Sequence, residues 1–152
     1  MRLLITTLAL ILSCPSHAAA NWLQWAQDRD SSGWIDTDSV IERRNHIYYR
    51  YQWRYLNLQN SPHGEYDKRQ TSAAVDCQAE QSASLKHLLL RQDVAIAELS
   101  GHDFISQDLA GTVHAVACLI AEQKKRGTAL QLCQYQADIN HPICGNEALI
   151  KR

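Results

Sequence analysis

The stretch from His46 to Leu58, HIYYRYQWRYLNL, constrains the fold of this chain more than any other. Ile47, Tyr49, Tyr51, Trp53 and Tyr55 alternate with Tyr48, Arg50, Gln52 and Arg54. A period of two is the pattern of a strand with one apolar face. So long a strand must bury its apolar row and leave its arginine row in water, which is what an antiparallel sheet covered on one side allows. Four of the six tyrosines lie here, so an aromatic binding platform with arginines as its rim is one reading. The packing reading is favoured, because aromatic residues are what half-buried strands contain in any case.

The rest of the chain is less periodic. NWLQWAQ (21–27) fits a short strand or a half-turn of helix, and DRDSSG (28–33) is a turn by composition. Ser39 and Glu42 have capping-box spacing, so SVIERR predicts one helical turn before Asn45 reverses the chain. NSPHGEYDKRQ (60–70) reads as loop, and TSAAVDC as a strand that delivers Cys77. SLKHLLLRQDVAIAEL (84–99) fits a helical stripe and a strand alternation equally, and periodicity leaves both open. From Ser106 to Gly127 a helix is predicted, capped by Ser106 or Asp108, with Leu109, Val113, Val116 and Ile120 on one stripe. Lys124, Lys125 and Arg126 suit its last turn and Gly127 stops it.

The N-terminus reads as an export signal. LLITTLALIL is too short to span a bilayer, and small residues follow it, so residues 1–20 are expected to be cut after Ala18 or Ala20. A lipid anchor at Cys14 is the less favoured alternative, because Leu12 is bulky where lipoprotein processing prefers a small residue. Cys77, Cys118, Cys133 and Cys144 then remain in a chain bound for an oxidising compartment. Of their three pairings, Cys77 with Cys118 and Cys133 with Cys144 is favoured. On the loop-entropy model these contribute about 4 and about 3 kcal/mol. The formal charge of −1, or −2 once Arg2 is removed, gives no reason to expect nucleic acid or an anionic membrane as partner. No later segment is apolar enough to span a membrane.

Several of these residues resemble the surface-adhesin protein E family of exported Gram-negative bacterial proteins. Trp34, Ile35, Asp36, Ser39 and Val40 match its first signature segment, and Asp76 with Cys77 and the distant Cys118 match the rest, over roughly 22–123. The resemblance implies an antiparallel sheet with a helix held on it by a Cys77–Cys118 bond. It also implies that SLKHLLLRQ is a strand, and that the ligand is another protein. The tail from Ala129 has no counterpart in the family. The resemblance supplies no catalytic motif.

Residue chemistry points the same way. DRDSSGWIDTDS (28–39) approaches a calcium loop, with Asp28, Asp30, Ser32, the Trp34 carbonyl and Asp36 around Gly33, but its twelfth position is Ser39 where a bidentate carboxylate is needed. A turn followed by Asp36 and Ser39 as helix caps is the favoured reading. His114 with Cys118, or Cys133, His141 and Cys144, would be zinc ligands only if the cysteines were reduced, and their spacing matches no common zinc module. There is no Gly-x-Ser-x-Gly elbow.

The expectation is therefore an α+β domain over 21–127, an antiparallel sheet with a C-terminal amphipathic helix on one face, stapled by a disulfide. Residues 128–152 follow as an extension with a second disulfide loop. The expected function is an exported, periplasmic or secreted, non-catalytic binding domain with a protein ligand and no cofactor. The alternative is a small periplasmic enzyme using some of Asp36, His87 and His114, or a metal-binding protein. The enzyme alternative falls if those side chains lie scattered on different faces of the fold with no shared cleft.

Overall fold

The computed structural model describes residues 20–127. Six strands follow one another as β1 (Trp22–Gln27), β2 (Ser31–Arg43), β3 (His46–Ser61), β4 (Gly64–Asp76), β5 (Gln81–Arg91) and β6 (Val94–Ser106). Each pairs antiparallel with the next in a single meander. One helix, α1 (Val113–Arg126), closes the described chain. The α+β expectation is thereby corrected: strands make up 67% and the helix 13% of the described residues, so the fold is an antiparallel sheet with one short helix. Most of the expected leader and the expected Cys133–Cys144 bond lie outside the described residues.

The sheet is larger than the residue pattern predicts because a segment read as a helical turn and one read as a loop are strand, and because 84–99, left open by periodicity, is strand as the resemblance implied for SLKHLLLRQ. SVIERR is the end of β2 rather than a helical turn, most of NSPHGEYDKRQ belongs to β4, and 84–99 forms β5 and the start of β6. Two of the connections are two-residue turns with both residues at positive φ, Arg44–Asn45 (51° and 66°) and Gln92–Asp93 (49° and 65°). That backbone twists with the strands it joins.

The helix begins later than Ser106 or Asp108. β6 holds Ser106 opposite Gln81, the Gln107 N–H donates to the Glu80 carbonyl, and the Asp108 carboxylate accepts from the Ala110 N–H. Thr112 occupies the cap position, but its hydroxyl donates to the Leu109 carbonyl and makes no cap bond. At the other end Gly127 adopts φ 64° and its N–H closes on the Gln123 and Lys124 carbonyls, the left-handed stop that glycine favours.

Strand alternation places Ile35, Ile47, Tyr49, Tyr51, Ala73 and Val75 on one face, where Val113, Ala117, Ile120 and Ala121 of α1 cover them. The helix is fastened at several points. Cys118 is bonded to Cys77 just beyond β4, with Cα atoms 6.1 Å apart. His114 Nδ1 shares a hydrogen bond with the Tyr49 hydroxyl. Lys124 Nζ donates to the carbonyls of Thr37 (2.6 Å) and Val40 (3.0 Å) in β2, and Lys125 pairs with Glu42 at 2.6 Å. α1 thus crosses the sheet from β4 towards β2 and leaves the opposite face open.

Candidate functional site

The open face is read directly from the register. Asp36 lies opposite Arg50, Trp34 opposite Gln52, and Ser32 opposite Arg54. Arg50, Gln52 and Arg54 in turn face Ser72, Gln70 and Lys68 of β4. Lys86, Leu88 and Leu90 of β5 continue these three rows, and Trp22 and Gln24 of β1 extend two of them at the other edge. The arginine row that the sequence assigns to water is this face.

Its side chains are fixed by their neighbours. The Trp34 indole N–H donates to Ser32 Oγ at 2.8 Å, and the Arg54 guanidinium lies 4.5 Å over the Trp34 ring, a cation–π contact. Gln52, 3% exposed, turns its amide oxygen to Arg54 and accepts from Nε at 2.8 Å and Nη2 at 2.6 Å. Asp36 is 0% exposed and takes a 2.5 Å bond from Nη2 of Arg50, whose side chain is 49% exposed. A carboxylate removed from water needs such a partner. Here the buried carboxylate anchors an arginine whose outer edge faces solvent. What this arrangement offers is a rigid display of planar donors and an indole. That suits recognition.

The residues singled out from sequence separate by role. Ile35 and Val40 are core. Ser39, expected as a helix cap, instead fastens a bulge: between Asp36 and Ile41, β2 carries four residues opposite Tyr49 alone. Ser39 Oγ donates to the Asp36 carbonyl and accepts from the Arg50 N–H, at 2.7 and 2.8 Å. Asp76 caps the β4–β5 turn, accepting from the N–H groups of Ala79 and Gln78; those bonds hold its carboxyl below the usual range, with His46 adding a little. Of these residues, Trp34 and Asp36 shape the open face. Arg50 and Arg54 were visible in the alternation as the solvated row, but their pairing with Asp36 and Trp34 required the β2–β3 register.

Only Asp28–Asp30 of the calcium-like stretch is a turn, in which Asp28 receives the Arg29 N–H; from Ser31 on the stretch is β2, against the expected turn over 28–33, and Asp36 is committed to Arg50. Among the described residues no group of three or more His, Cys, Asp or Glu side chains could hold a metal ion. The enzyme trio does not converge either. Asp36 is on the open face, whereas His87 bonds Thr71 at 2.9 Å and His114 bonds Tyr49 on the helix-bearing face. Both rings have depressed pKa values: burial acts first on each, followed by Arg69 and His102 at His87 and by His102 at His114.

Six antiparallel strands in sequence order, one disulfide-tethered helix on one side and a fixed polar face on the other define a class of small meander domains. No family model matches the sequence, and no curated protein matches it. Among solved structures it is similar to the crystal structure of protein E from non-typeable Haemophilus influenzae, with a TM-score of 0.50 and 8% identity over 75% of this chain and 84% of that one. The likeness is one of fold.

Proposed function

We propose that this chain is an exported, non-catalytic binding domain of the protein E-like kind, which recognises another protein in the envelope or outside the cell through its open sheet face. The domain runs over 21–127, behind a signal segment cut after Ala18 or Ala20, and 128–152 is an extension. The observation that carries the reading is the locked set Trp34–Arg54–Gln52 with Asp36–Arg50. Asp36 and Gln52 are buried and hold Arg50, half exposed, and Arg54 in place, and side chains fixed in this way on a strand scaffold lose little freedom on binding. The Cys77–Cys118 bond supports export, since disulfides persist in oxidising compartments. The fold likeness to protein E supports the family reading drawn from Trp34, Ile35, Asp36, Ser39, Val40 and Asp76. Among the described residues no helix is long and apolar enough to cross a membrane.

The test is a binding assay with the mature chain against extracellular and envelope proteins. Saturable binding at micromolar concentration is expected, weakened tenfold or more by Trp34→Ala or Arg54→Ala and unaffected by Leu119→Ser on the outer side of the helix. Absence of any saturable partner, or loss of binding only with Leu119→Ser, would remove the open face from consideration.

A further inference from the structure

The open face carries a charge pattern that selects among ligands. Its inner strands β3, β4 and β5 place Arg50, Arg54, Lys68 and Lys86 on this side. Asp36, which the neighbouring strand β2 sets opposite Arg50, is sealed beneath that arginine. Arg54 and Lys68 are register partners. Arg50 and Lys86 both face Ser72, one on each side. Between these two cationic rows runs the neutral row of Gln52, Gln70 and Leu88. Neighbouring strands are about 4.8 Å apart and residues rise about 3.3 Å along a strand. The four cations therefore frame a patch about 13 Å long and two to three strands wide.

The acids of this region sit on its perimeter. Asp93, in the β5–β6 turn, pairs with Lys68 and is 81% exposed; Glu98, on β6, pairs with Lys86 at 3.3 Å and is 62% exposed. The Lys86–Glu98 pair is solvated on both sides and exchanges readily, whereas Lys68 is 18% exposed and a ligand carboxylate reaches it by displacing the exposed Asp93. Arg54 forms no ion pair among the described residues; it lies over the Trp34 ring and bonds Gln52, and the Asp93 carboxylate is near enough to feel its charge. Its stacked guanidinium keeps hydrogen-bond donors free for a planar acceptor.

Resting on the binding-domain reading, we infer that the open face takes an acidic segment of a partner protein in extended conformation, with carboxylates on Arg54–Lys68 and on Arg50–Lys86. Side chains four residues apart on one side of an extended segment are also about 13 Å apart, which matches the separation of the two cationic rows. The amides of Gln52 and Gln70 lie under the middle of such a segment, and Trp34 borders it.

The test titrates the mature chain, observed by amide NMR, with a blocked peptide of five Glu-Thr repeats. Comparison ligands are the Gln-Thr peptide and polygalacturonate, a chain of carboxylate-bearing sugars. The Glu-Thr peptide is expected to bind and the Gln-Thr peptide to bind at least tenfold more weakly. Shifts should be confined to β2–β5 residues of the open face, and binding should fall at least tenfold between 20 and 300 mM salt. Arg54→Gln with Lys68→Gln should abolish binding and leave the melting temperature within a few degrees. Equal binding of both peptides, shifts centred on α1, or binding unaltered in the double variant would overturn the acidic-segment inference. Tighter binding of polygalacturonate than of the peptide would overturn it in favour of a glycan. A natural partner that requires Trp34 but tolerates the double variant would retain the binding domain and discard the cationic frame.

Discussion

At the residue scale the described residues hold one buried charge. Asp36 has no exposure, and its two fixed partners are the Arg50 guanidinium and, at 3.2 Å, the Asp38 N–H. Asp36→Ala leaves that N–H without its acceptor and frees Arg50, so it should cost about 2–3 kcal/mol, less than a fully buried pair because half of Arg50 is already in water. Urea unfolding monitored by tryptophan fluorescence measures it, and a loss below 0.5 kcal/mol would mean the pair is not formed in solution. The same substitution should weaken partner binding beyond what stability explains, because Arg50 loses its orientation. The sequence showed Asp36 as an oxygen at calcium-loop spacing. What it could not show was the burial, which depends on a strand fourteen residues away.

At the element scale, legibility followed how local the cause was. β3 was evident because its alternation between His46 and Arg54 is unbroken. β2 was not, because its bulge at Thr37–Val40 is stabilised by Lys124, which is distant in sequence. β5 was ambiguous for a related reason: β4 pairs Ala73 with Ser84 and Ser72 with Lys86, so Leu85 is an inserted residue that breaks the period and points a leucine into water. The turn after β5 offered no signal, since Gln92 and Asp93 hold a left-handed backbone that glycine or asparagine would announce. β5 and β6 are also unusually close at Gly101, where an added Cβ would stand 1.5 Å from the Ser84 carbonyl oxygen. Gly101→Ala must therefore part the two strands, and a loss of 2 kcal/mol or more is expected, with hydrogen exchange accelerated in β6 before β3. Unchanged exchange in β6 would show the approach is not that close.

Stability should depend on pH through two histidines, His87 in β5 and His114 in α1. His87 and His114 are held neutral by burial and by the nearby charges of Arg69 and His102 at the first, and His102 at the second. Tyr49 and Tyr51 of β3 face the His114 ring and Thr71 of β4 the His87 ring, and burial raises the Tyr49 hydroxyl well above its ordinary range. The unfolded chain, with ordinary histidines near 6.5, binds more protons than the folded one as pH falls. Stability is therefore complete above about pH 6.5 and is lost as pH drops through the two depressed values. The lowered carboxyls of Asp76 and Asp93 act only below the carboxylate range and leave this window to the histidines. Urea midpoints at pH 7.5 and 5.0 should differ in the wild type, and the difference should shrink in His87→Gln with His114→Gln. An equal decline in both proteins would assign the pH dependence elsewhere.

At the scale of the whole molecule, the two faces of one sheet carry separate duties. The helix-bearing face holds the core, and the open face holds the fixed polar row. The strands are joined by consecutive hairpins and need little from distant chain, whereas α1 returns to β2 and β4 from the end of the described chain. Cys77–Cys118 spans 41 residues, and releasing it restores about 4 kcal/mol of loop freedom to the unfolded state on the chain-entropy model. Reduction, or Cys77→Ser with Cys118→Ser, should lower stability by up to that amount and accelerate exchange in α1 ahead of β3 and β4. The sheet would keep its hairpins, and with them Trp34, Arg54 and Arg50, which touch neither the helix nor the disulfide. Partner affinity measured under reducing conditions, at a temperature where the reduced chain is still folded, should therefore remain within threefold of the oxidised value. A tenfold loss of affinity with the sheet intact would move recognition to the helix-bearing face, and the bond would then be part of the binding surface.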